Sequence, residues 1–165
     1  MEAGVTAGWG DFLVAAAGAA SALAGLVFVA LSINLTRILE LPGVVGRAAE
    51  TILLLAGALA GTLITLIPGQ SQRTLGVMLL VVGALAWGLP TWMQIQTWRR
   101  RTFYKVGHAV LRFALQQSAT IPLLVAGLSL LGYVRGGLFW LAAGVVASML
   151  VALVNAWILL VEILR

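Results

Sequence analysis

Charged residues cut this chain into five long uncharged runs, at 12–36, 51–72, 74–98, 113–134 and 136–161. Each run is about 22 to 26 residues long, and a helix needs roughly 20 apolar residues to cross a bilayer. Only helices and closed barrels satisfy their backbone hydrogen bonds inside lipid. The runs are continuously apolar and do not alternate, so they read as helices. The chain is 62% hydrophobic and 9% charged, whereas a soluble domain carries about 25% charged residues. So few charges cannot cover a water-facing surface. The expected fold is therefore all-α: a polytopic membrane protein, one domain over 1–165, with a bundle of five transmembrane helices. Allowing for helix ends, the spans lie at about 12–36, 48–70, 74–98, 111–134 and 137–162.

The basic residues give these spans a direction. Arg37, Arg47, Arg99, Arg100, Arg101, Lys105, Arg112 and Arg165 fall at one end, and only Arg73 and Arg135 at the other. Cytoplasmic segments carry the excess of Lys and Arg. This asymmetry predicts an N-terminus outside and a C-terminus in the cytoplasm. Trp9 and Trp140 would then mark the outer interface, and Trp98 and Trp157 the inner one. The first residues, MEAGVTAGWGDF, lack a basic leading region and are expected not to act as a cleaved signal.

Half of the basic residues crowd into 99–112, read as a basic, amphipathic cytoplasmic loop. Arg101, Lys105, His108 and Arg112 step by four, three and four, which on a helix makes one stripe. Arg99, Arg100, Arg101, Lys105 and Arg112 are candidates for contact with anionic lipid headgroups or a partner. The simpler reading of the same charges is a topology signal. A nucleic-acid partner is not expected, because the basic residues flank apolar runs.

Small residues recur at helical spacing. Gly18, Gly25 and Ser32 do so in the first span, Gly57 and Gly61 in the second, Gly76, Gly83, Pro90 and Thr97 in the third, and Ser148 and Asn155 in the fifth. In lipid, small residues let helix backbones approach closely. Such stripes fit a tight bundle, a homo-oligomer, or both.

Polar residues gather toward the cytoplasmic halves of the spans. Ser32 and Asn34 close the first span there, Gln94 the third, and Asn155 and Glu162 the fifth, while Gln117 opens the fourth. Glu50 starts the second span on the face of Leu54, Gly57 and Gly61. An intramembrane carboxylate is costly and marks a functional candidate. Glu50, Asn34, Ser32, Gln94, Gln117, Asn155 and Glu162 are therefore candidates for a pore or cavity facing the cytoplasm. The competing reading makes these groups helix–helix hydrogen bonds, pairs Glu50 with Arg47 or with its own helix start, and lets Glu162 snorkel to the interface.

The chain has no cysteine and one histidine. No metal site, cofactor or catalytic set is expected, and the chain is read as a non-enzyme. The run SALAGLVFVALSINLTRIL at 21–39, with VNAWILLVEILR at 154–165, resembles a group of small bacterial multi-pass membrane proteins of uncharacterised activity. The resemblance implies a bacterial inner-membrane setting. The expected function is a homo-oligomeric channel or small transporter for an ion or small solute. The alternative is a non-transporting scaffold or regulator of a larger membrane complex.

Overall fold

The computed structural model describes residues 6–41, 43–99 and 106–164, with the side chains of Val106, His108 and 162–164 outside that description. All of its regular structure is helical: α1 (Gly10–Ile33), α2 (Leu35–Glu40), α3 (Val44–Leu66), α4 (Gln72–Arg99), α5 (Val106–Leu130) and α6 (Leu138–Leu164). All but α2 are long and apolar enough to cross a membrane. Large apolar side chains such as Leu26 and Trp157 are 69% and 67% exposed, as expected of a surface solvated by hydrocarbon. The chain thus has the build of a multi-pass membrane protein.

Helices α3, α4, α5 and α6 form a four-helix ring in which each packs on its neighbours, with α3 and α5 on the diagonal. Helix α1 lies outside this ring, mainly against α3. The main core joins all five long helices through Leu13, Ala58, Leu79, Ala86, Leu123 and Leu141. At the end where α3 begins, here called the basic end, α1, α4 and α6 finish and α3 and α5 start. At the far end, Trp9 stacks edge-on against Phe12 and Phe139, with ring centroids 5.9 and 4.9 Å apart. Those contacts pin the start of α1 to the start of α6.

The helix bounds refine the sequence reading in two places. The first span is not one helix through 36. It breaks at Asn34, and the six-residue α2 follows. The turn from α2 to α3 passes through Gly43 at φ 84°, a left-handed conformation that glycine adopts without a Cβ clash. In the second place, α5 already begins at Val106. Arg112 therefore lies within the fourth long helix, six residues past its start. Residues 100–105, with Arg100, Arg101 and Lys105, lie outside the described residues. Arg99 is exposed at the end of α4. Both interior prolines, Pro90 and Pro122, sit within uninterrupted helices.

Close backbone approach sets the α4–α5 seam. A Cβ added at Gly127 would stand 2.5 Å from the Leu80 amide nitrogen, and one at Gly83 would stand 2.8 Å from that of Leu124. Gly76 likewise faces Leu130, the last residue of α5, and Leu131 just beyond it. Gly76 and Gly83 thus pack within the chain, and of the two readings of the α4 stripe they serve the tight bundle. On α6, Ser148, Ala152 and Asn155 are also buried. Only the stripe of α1 points outward: Gly18, Ser21, Gly25 and Ser32 are exposed, and a Cβ added at Gly18 or Gly25 would meet nothing within 4 Å.

Candidate functional site: a buried polar cluster at the basic end

The site begins with two side chains that meet across the diagonal of the ring. Glu50, in the second turn of α3, is 1% exposed. Arg112 of α5 clasps it with both prongs: Nε donates to Oε2 and Nη2 lies against Oε1, each at 2.8 Å. The Arg112 side chain is 14% exposed. The bidentate fork matches two planar groups and is the geometry in which a buried pair recovers the most of its desolvation cost.

The local sequence aims both groups inward. Glu50, Leu54, Gly57 and Gly61 share one face of α3, and all four are buried. Arg112, Gln116, Thr120 and Leu123 share one face of α5 by the same spacing. Gly57 meets Ala86 of α4 and Leu123 of α5. Seven or eight residues toward the basic end from these three, about 10 to 12 Å at the helical rise, come Glu50, Gln94 and Gln116. The three therefore stand at one level. Arg47, 7% exposed, lies one turn nearer the basic end, and Asn155 of α6, 5% exposed, stands near the level of Glu50.

Gln116 is the group that the protein leaves wanting. It is 1% exposed, yet both its amide oxygen and its amide nitrogen lack a hydrogen-bond partner among the described residues. Both amide atoms of Gln94 are buried and unpartnered as well. An unsatisfied buried polar atom costs roughly 1–3 kcal/mol. Two whole carboxamides in this state, level with an ion pair, make a site suited to water or a polar solute.

Deeper in the bundle the buried hydroxyls are satisfied, as Thr62 and Thr65 are by carbonyls of their own helix. Thr51 donates to the Arg47 carbonyl and Thr120 to the Gln116 carbonyl, so both hydroxyls are spent on their own helices. Ser148 donates to the Ala119 carbonyl at 3.5 Å. Beyond them, Leu54, Ala119 and Val151 pack together, and then Ala58, Ala86 and Leu123. This apolar plug separates the cluster from the far end.

The other sequence candidates scatter. Gln117 turns to the α4–α5 seam, where it accepts from Trp87 Nε1 and donates to Thr91 at 3.3 Å. Ser32 is exposed and donates to the Phe28 carbonyl. Asn34 donates to the Ala30 carbonyl at the end of α1, on the rim of a surface groove of about 370 Å³ between α1 and α6. Neither faces the cluster. The side chain of Glu162 lies outside the described residues. Arg112, expected to face lipid headgroups, points into the protein, because Glu50 is its partner. The alternative pairing of Glu50 with Arg47 gives way to the same contact. Gln116 was the less prominent of two adjacent glutamines, and only its four-residue step from Arg112 could have singled it out. Among the described residues, no three His, Cys, Asp or Glu side chains come together to hold a metal.

No known protein family, curated protein or solved structure matches the chain.

Proposed function

We propose that this membrane protein is a small transporter for an ion or small solute, with the Glu50–Arg112 cluster as its solute site. One observation carries the reading: Gln116, fully buried, offers a donor and an acceptor that no described residue takes up. The positive-inside asymmetry supports a cytoplasmic position for this end. Solute would enter from there and meet the plug of Leu54, Ala119 and Leu123. Passage then requires the helices to rearrange, which fits a transporter better than an open channel. The homo-oligomer expected from the sequence retains one small-residue face, that of α1. The polar route then belongs to each protomer and not to a shared axis.

A second reading draws on a separate observation. The α1 face bearing Gly18 and Gly25 is exposed, and the neighbouring apolar groove between α1 and α6 is open. A scaffold would use that face to hold a larger membrane complex.

Flux from liposomes separates the two. Purified protein is reconstituted as wild type, Glu50→Gln and Gln116→Leu, and tested across cations, anions and protons. The transporter reading expects selective wild-type flux that falls at least tenfold in Gln116→Leu. Tight vesicles holding folded, inserted wild type would reject it in favour of the scaffold.

A further inference from the structure

We propose that the Glu50–Arg112 site binds a small monovalent anion together with one proton. The inference rests on reading the cluster as a solute site, and it names the solute class.

The argument starts from what a buried ion pair permits. An arginine guanidinium is a permanent cation in proteins. That of Arg112 is largely buried, and its two described contacts both go to Glu50. Removing one partner of such a pair strands the other charge in a buried place, which is strongly unfavourable. An anion therefore cannot enter beside an ionised Glu50 without placing two negative groups on one guanidinium. Protonation of Glu50 alone fails for the opposite reason, since it leaves Arg112 without a counter-charge. The two events offset each other when they occur together. A proton from water adds to a Glu50 carboxylate oxygen. The neutral carboxyl releases Nε and Nη2. The anion then accepts from the same fork, and the charge of the site is unchanged.

The surroundings fit this exchange. Gln116 lies one turn along α5 on the Arg112 face, with free amide N–H donors for the arriving anion and a free carbonyl for the new Glu50 hydroxyl. Gln94 of α4 presents a second unpartnered amide at the same level. A carboxylate fits this fork now, which favours a small planar or spherical anion such as nitrate, formate or a halide. A divalent anion would exceed the charge of Arg112. The other described groups packed at this end are Arg47 of α3, which keeps a partner of its own, and Asn155 of α6, which is neutral; Arg37 and Glu40 of α2 pair with each other at the surface, and the His108 side chain lies outside the described residues. The Glu162 side chain is outside the described residues. Helix α1 brings no charged side chain here.

The test reads binding, not flux. Glu50→Gln mimics the protonated state, and Glu50→Gln/Arg112→Met removes both charges. Each is melted in detergent against sodium nitrate at constant ionic strength, with gluconate as the balancing anion. The Tm of Glu50→Gln should climb with nitrate, as linkage requires of a ligand bound to the folded state. The double variant, and wild type at neutral pH, should not respond. In weakly buffered, mildly acidic solution, wild type should take up one proton per nitrate bound. Indifference of Glu50→Gln to nitrate overturns the proposal, as does an equal response from the double variant. If Glu50→Gln does not fold, the wild-type proton uptake decides, and its absence is a refutation. Tight liposomes with binding intact would reject transport and leave the anion site standing. Flux without nitrate binding would do the reverse.

Discussion

Replacing Gly127 by alanine tests the tightest approach at any described helical glycine. The added Cβ would lie 2.5 Å from the Leu80 nitrogen, 2.7 Å from its Cα and 2.8 Å from its Cβ. That is roughly 1 Å inside ordinary van der Waals contact. Two of the three opposing atoms are backbone, so no rotamer change relieves the clash. Helices α4 and α5 must move apart, and the seam loses contact along its length. Overpacking of this kind costs about 1–3 kcal/mol, against a helix-propensity gain from glycine to alanine of about 1 kcal/mol. The clash should win, with a net destabilisation of about 1–2 kcal/mol. Reversible unfolding in mixed micelles measures it. Gly18→Ala is the matched control, since its Cβ meets open space, and it should be neutral or slightly stabilising. Gly83→Ala strains the same seam, so Gly83→Ala/Gly127→Ala should cost less than the sum of the two. Equal stability of Gly127→Ala and Gly18→Ala would refute the packing argument.

Other outcomes follow from the same geometry. Glu50→Gln and Arg112→Met should each destabilise by about 3–5 kcal/mol, and the double variant by much less; a double-mutant cycle in unfolding experiments checks this, and additivity would contradict the pairing. Gln116→Leu should not destabilise, because it removes two unsatisfied polar atoms from a buried position, and thermal melting reads it directly. Ser32→Ala should leave flux unchanged, since its hydroxyl is exposed and bonded to its own helix. The chain lacks cysteine, so single cysteines at Arg73 and Gly107 report orientation. In intact bacterial cells an impermeant thiol reagent should label the first and not the second.

Much of the fold is legible in the residues. The uncharged runs locate α1, α4 and α6 to within three residues, because the bilayer's thickness imposes a length that composition can match; α3 and α5 start seven residues earlier than their runs, since each helix begins before a charged residue, Glu50 or Arg112. The break at Asn34 is less visible, since Ser32, Asn34 and Thr36 interrupt the apolar run without a proline or glycine. The inward face of Glu50 is readable from its spacing to Gly57 and Gly61. Its partner is not. Arg112 shares a stripe with Lys105 and His108, and its spacing serves a lipid-facing helix equally well. Which face turns inward is decided by α4 and α6, on either side of α5. The same limit explains the α4 stripe: Gly76 and Gly83 mark a close contact, but spacing does not tell a neighbouring helix in the same chain from one in another copy.

The Glu50–Arg112 contact joins residues 62 positions apart, and this distance sets an order of assembly. The ribosome delivers α3 first, with its carboxyl near the helix start, where interfacial water still reaches it. Arg112 arrives only after α4 has brought the chain back to the basic end. The individual spans are thus committed to the bilayer before this contact can form, and it closes in the later stage, when inserted helices associate. A chain interrupted before α5 would carry Glu50 without its arginine on an otherwise apolar segment. To a membrane quality-control protease, that unanswered charge would distinguish an unfinished molecule from a finished one.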